Sequence, residues 1–276
     1  MTRRPLPLVR RDPVAVAPAA CIAACLLLSG CASAPPPSPP APEHTEAARL
    51  FTDGLAAREA GDLPAAIDLL ERASAAEPET LRYGAEYRQT AIAARACDRS
   101  ISFFEALATE HPGSAAVRLQ WGYAYVDKIP DAGAVTGVIL ANHALERFTE
   151  AIEREESWLA LYTRGNSYVF WPPVFNRTRL GIEDLERAIG LSEGDGRAAP
   201  TYHAHAYAAL GDGRWRRGEH EAAREAWRRG LERIPGTGYL EQRLALDDPG
   251  VDAFIAEAYQ VGRRVDTSLR EIFPPE

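Results

Sequence analysis

Four cysteines and six histidines give this 276-residue chain its widest chemical scope, and their spacing narrows it. Cys21, Cys25 and Cys31 fall within the first 31 residues, so Cys97 is the one thiol left in the rest of the chain and no disulfide can form there. Cys97 sits in an apolar helical context, AIAARACDRSISFF, which reads as an inert buried thiol. His203 and His205 look like a metal pair, but positions i and i+2 of a helix face different ways, whereas helical zinc sites use i, i+4. His111, His143 and His220 are scattered over polar faces, and Glu153, Glu155 and Glu156 form the solvated end of a helix. No Gly-rich phosphate loop, G-x-S-x-G elbow or Cys–His nucleophile pair occurs. We therefore assign no catalytic, cofactor-binding or metal-ligating residue and expect no enzyme.

Cys31 is the exception among the thiols. Four arginines within residues 1–13 precede an uncharged, mostly apolar stretch over residues 14–30, VAVAPAACIAACLLLSG. That stretch falls short of the ~20 residues of a membrane span and has the layout of a signal peptide. It ends Leu28-Ser29-Gly30-Cys31, which resembles a bacterial lipobox. The resemblance implies cleavage before Cys31 and acylation of its sulfur. A plain signal peptide cut in the Cys31-Ala32-Ser33-Ala34 region is the competing reading. The segment after Cys31, up to residue 45, is a Pro/Ala/Ser-rich tether expected in polyproline II, extended at ~3.1 Å per residue. Ala32 stands where the lipoprotein pattern places an inner-membrane retention Asp. The resemblance therefore implies an outer-membrane anchor facing the periplasm.

The net charge is −8. Residues 1–30 carry Arg3, Arg4, Arg10 and Arg11 against Asp12, so the remainder is more acidic still, at −11. An acidic body excludes non-specific nucleic-acid binding, which needs a basic footprint. Lys128 is the only lysine.

These residues sit on an all-α framework. Pro78 and Pro112 each end an amphipathic helix and stand 34 residues apart. In the first unit Gly54 marks helix A, Gly61-Asp62 the turn, and Ala66, Leu70 and Ala73 one face of helix B. The same small-large-small set recurs as Ala144/Phe148/Ala151, Gly181/Leu185/Ala188 and Ala223/Trp227/Gly230. The second unit keeps Phe104 and Pro112 but has Arg88 where the small residue of helix A belongs. This pattern resembles the tetratricopeptide (TPR) repeat over residues 46–236, as in TPR bacterial lipoproteins. The resemblance implies a solenoid of about five helical hairpins. Residues 237–276 are expected to cap it, with residues 251–272 as a single covering helix.

Two units depart from the period. The helix-A glycine and helix-B small residue are 12 apart in the first and fifth units, 22 apart in the third (Gly122 to Ala144) and 16 apart in the fourth (Gly165 to Gly181). Insertions at equivalent solenoid positions emerge on one edge. That edge, with Lys128, Phe170, Trp171 and Phe175, is one candidate partner-binding surface, unless the inserts pack on each other and bury their aromatics. The concave groove, with Tyr123, Tyr162, Asn166 and Trp215 on helix A, is the other. The expected function is a lipid-anchored scaffold that binds an unidentified envelope protein or peptide in the assembly or support of an envelope complex. The alternatives are a ligand-holding accessory of a periplasmic uptake system, which a sealed apolar cavity under the inserts would favour, and an envelope enzyme with a cryptic site.

Overall fold

The computed structural model describes residues 45–194, 196, 198–260 and 263–274. The expected signal peptide, Cys31 and most of the tether lie outside these residues. Twelve α-helices and no strand occur among the described residues. They pair as α1 (Glu46–Glu59) with α2 (Leu63–Ala76), α3 (Leu81–Ala93) with α4 (Cys97–Glu110) and α5 (Ala115–Lys128) with α6 (Ala134–Arg154). Next come α7 (Trp158–Phe170) with α8 (Thr178–Gly194) and α9 (Ala204–Trp215) with α10 (His220–Arg233), followed by α11 (Gly238–Ala245) and α12 (Asp248–Ala258).

Local chemistry sets the boundaries. Side chains of Thr45, Asp62, Ser114, Ser157 and Asp247 accept hydrogen bonds from backbone N–H groups in the first turns of α1, α2, α5, α7 and α12. Gly61 and Gly218, at φ +83° and +78°, turn helix A into helix B in the first and fifth units.

The small-against-large pairing read from the repeat is the contact that joins four of the five hairpins, all but the second. A Cβ on Gly122 would lie 2.3 Å from the Phe148 ring, and one on Gly211 would lie 2.1 Å from Nε1 of Trp227. Phe148 and Trp227 are fully buried. The core is a chain of clusters. Phe51, Leu70, Tyr87, Phe104 and Trp121 link the first units, Tyr123 and Phe148 the third, Leu185 and Tyr207 the fourth and fifth, and Trp227, Leu240 and Val251 the cap.

Two elements differ from the sequence expectation. The extra residues of the third unit are not confined to the turn between its two helices. Asp127 and Lys128 remain in α5, a 3-10 turn covers Ile129–Asp131, and the surplus extends α6 to 21 residues. The covering helix expected over residues 251–272 stops at Ala258. Residues 263–269 lack helical structure, and they return along the solenoid to α3 and α5.

Gly211→Ala is expected to overpack the α9–α10 contact and cost about 1–3 kcal/mol. Thermal unfolding followed by circular dichroism checks this, and a melting temperature unchanged from wild type would contradict the contact.

Candidate functional site

The two inserted turns and the C-terminal segment meet around one cavity of about 290 Å³. One wall is the third unit: Val126, Ile129 and Pro130, then Ala134, Gly137, Val138, Ala141 and Ala144 along the extended part of α6. The opposite wall is Phe170, Trp171 and Pro172 from the fourth unit. Tyr162, Thr163, Asn166 and Ser167 of α7 form a more polar stretch, and Tyr259, Gln260, Arg263, Val265, Asp266 and Thr267 close the remaining side.

The sequence reading named eight partner-binding candidates on two separate surfaces. Five of them, Tyr123, Tyr162, Asn166, Phe170 and Trp171, line this single cavity. Tyr123 is buried and shares a 2.5 Å hydrogen bond with the Thr163 hydroxyl, and burial pushes its phenol up to about 12, so it stays neutral. Tyr162 stacks on Trp158 at 4.9 Å, and burial raises its phenol. Phe170 leans on Tyr259 at 4.7 Å. Asn166 is half-buried in the wall, and its amide carries both a donor and an acceptor.

Three placements correct the reading. Trp171 is not displayed on an edge. It is 6% exposed, with Arg177 3.8 Å above its ring, the Phe175 edge 5.2 Å away, and its carbonyl accepting from Arg216. Trp215 does not point into an open groove. Its ring stacks 4.0 Å from His220, its N–H donates to Asp252 at 2.8 Å, and it belongs to the cluster under α12. Lys128 is ion-paired with Asp98 rather than free at a loop tip. Phe175 does reach solvent at 50% exposed, beside Val174 at 86%. With Val135, Val138 and Ile139 they account for five of the seven large apolar side chains exposed among the described residues, and Val138 also lines the cavity.

The groove is also not open as expected. The segment over residues 263–274, here called the strap, lies across α3, α5 and α9. The Thr267 carbonyl accepts from Arg88 at 2.7 Å, and its hydroxyl accepts from Gln89 and donates to Asp127. Arg264 donates to the Asp127 carbonyl, and Glu271 pairs with His205 at 2.6 Å. Leu269 packs against the Tyr123–Phe148 cluster. At the near end the Tyr259 hydroxyl donates to Asp212, which also takes a two-pronged ion pair from Arg243.

Arg88, flagged in the sequence only as standing in place of a small residue, organises the far end. Its guanidinium is fully buried, donates to Gln120 at 2.6 Å and Asp127 at 2.7 Å as well as to the strap, and lies over the Tyr123 ring at 4.7 Å. Cys97 is buried, with its thiol pushed up by burial and its S–H directed at the Asp127 carbonyl, 3.9 Å away.

Solved structures of similar shape agree with this architecture. A thermophilic TPR protein of Thermus thermophilus, TTC0263, superimposes with a TM-score of 0.52 at 18% identity, covering 72% of this chain and 97% of that one. A tetratricopeptide repeat protein of Parabacteroides merdae gives 0.51 at 13% identity, covering 83% and 79%. The chain has a tetratricopeptide-type fold. No protein-family model matches the sequence, and no curated protein matches it significantly. Against that repeat, the lengthened α6, the Trp171 turn and the strap are the parts that build the cavity.

Two substitutions test this construction. Asp127→Ala strands a buried guanidinium and is expected to cost about 3–5 kcal/mol. Trp171→Ala, removing a buried ring, is expected to cost about 3–5 kcal/mol. Denaturant unfolding measures both, and a loss below about 1 kcal/mol for either would place that side chain outside the packed structure.

Proposed function

We propose that this chain is a lipid-anchored, periplasm-facing scaffold that works by non-covalent association with an envelope protein. The observation that carries the reading is convergence: both departures from the repeat period and the C-terminal strap contribute to one apolar cavity. A chain that needed only a stable solenoid has no use for such a feature. The exposed aliphatic and aromatic side chains near the cavity extend it into a surface that a partner's apolar residue can cover. The lipobox-like end at Cys31 supports the envelope location. The cavity favours a second reading, a ligand-holding accessory lipoprotein. Its volume sits at the lower end for small-molecule sites, ~300 Å³, and its inner wall carries the neutral Asn166 amide. The matching ligand is a compact apolar molecule with one neutral hydrogen-bonding group.

Gly137→Leu separates binding from folding. Gly137 lines the cavity, and a Cβ there meets only Ile129, at an ordinary 3.8 Å. Replacing a glycine within a helix is expected to gain about 0.5–1 kcal/mol, so lost binding cannot be blamed on unfolding. A photo-crosslinking residue at Phe175 in the lipidated chain is expected to give a discrete protein adduct in envelopes, reduced about tenfold by Gly137→Leu. Native mass spectrometry of the purified chain showing a bound small molecule, lost in Gly137→Leu, would select the second reading. No adduct and no bound molecule would defeat both.

A further inference from the structure

The strap is bound unlike any helix of the fold. Its buried residues are the hydroxyl-bearing Thr267 and Ser268, and its attachments are mainly hydrogen bonds and ion pairs through Arg88, Gln89, Asp127, Asp131 and His205. Arg263, Arg264, Asp266 and Arg270 face solvent. Leu269, its main apolar contact, holds the left-handed conformation at φ +57°, a strained state for a branched L side chain. Segments with little apolar burial and backbone strain open at lower free energy than the surrounding core.

The surface beneath survives without the strap. Arg88 retains Gln120, Asp127 and the Tyr123 ring, so lifting Thr267 strands no charge. Asp127 keeps its Arg88 partner, and water can replace the hydroxyl. The opposite end is fastened more firmly, because the buried Asp212 holds both Arg243 and the Tyr259 hydroxyl. Arg263, Val265, Asp266 and Thr267 form one side of the cavity. Motion of residues 263–274 about the fixed Tyr259 end therefore opens that side while the helical walls stay in place.

We propose that the C-terminal strap is the gate of the cavity, releasing from Arg88 and Asp127 to admit an occupant and re-docking over it. The proposal rests on the cavity being a binding site. It assigns entry and exit to the strap rather than to movement of the inserted turns.

The test uses the full chain from Cys31 onward and the neutral apolar fluorophore N-phenylnaphthylamine as probe. Amides of residues 265–270 are expected to exchange hydrogen about 100-fold faster than those of α5 and α7, and to slow when the probe is bound. Thr267→Val with Leu269→Asp is expected to raise the probe's association and dissociation rates about tenfold in stopped-flow fluorescence, and Glu271→Gln to do so by a smaller factor. Gly137→Leu is expected not to bind. If the double variant loses its helical circular dichroism, Glu271→Gln and the wild-type exchange pattern decide. Probe binding with rates unchanged by the strap variants, or strap exchange that occurs only with global unfolding, overturns the gate and leaves the site standing. No binding to any chain overturns the cavity as a site and the gate with it.

Discussion

A guanidinium inside a protein has to be neutralised where it lies, because an uncompensated buried charge costs several kcal/mol. Arg88 imposes that requirement at the point where a regular repeat would place glycine. Its partners come from α5 through Gln120 and Asp127, and from the strap through the Thr267 carbonyl. One side chain therefore ties the second unit, the third unit and the C-terminal segment into one polar network. Asp127 adds the Thr267 hydroxyl and, through its carbonyl, Arg264 and Cys97. In the second unit a long cationic side chain stands at that position and reaches α5 and the strap, so charge pairing helps to specify the groove surface there.

Much of the framework was legible in the sequence because the repeat encodes it locally. Gly122 and Phe148 or Gly211 and Trp227 identify themselves by spacing, and the structure places each pair in the contact that the spacing implies. The inserted turns were also visible as breaks in the interval from Gly122 to Ala144 and from Gly165 to Gly181. Their conformation was not. An uncharged run such as AGAVTGVILAN carries helix periodicity as well as loop composition, and in the structure it lengthens α6 with Val135, Val138 and Ile139 exposed. For Trp171 the sequence leaves display on an edge and burial both open. Which face it turns inward depends on Arg177 and Arg216, whose positions are set by neighbouring elements.

The strap was not legible, for a reason that concerns distance along the chain. Apolar residues at helical spacing continue past Ala258, so periodicity alone extends α12 into residues 259–272. The helix ends where the Tyr259 hydroxyl finds Asp212, 47 residues earlier. Thr267 finds Arg88 across 179 residues. Neither attraction leaves a trace in local pattern, and both involve buried charges whose partners are supplied by tertiary structure. Arg88 was the available signal: a charged residue at a position reserved for a small buried one requires an acceptor somewhere in the chain.

The same reasoning explains why the cavity lies where it does. In a regular solenoid each helix B fills the space beside its own helix A with a large side chain, as Leu70 does against Gly54. Units three and four keep those contacts through Phe148 and Leu185, so the extra residues cannot enter the core and must build outward. Two outward walls from adjacent units enclose a volume only if something closes the concave side. The cap could not do so as a rigid helix, because a helix emerging from the fifth unit cannot follow the groove back to the second while also meeting Asp212. An extended segment spans that distance with about half as many residues, at ~3.3 Å each against ~1.5 Å for a helix, and its Thr267 carbonyl finds a donor in the Arg88 guanidinium. The cavity, the buried arginine and the non-helical C-terminal segment are therefore a single structural solution, and altering any one of them changes the demands on the other two.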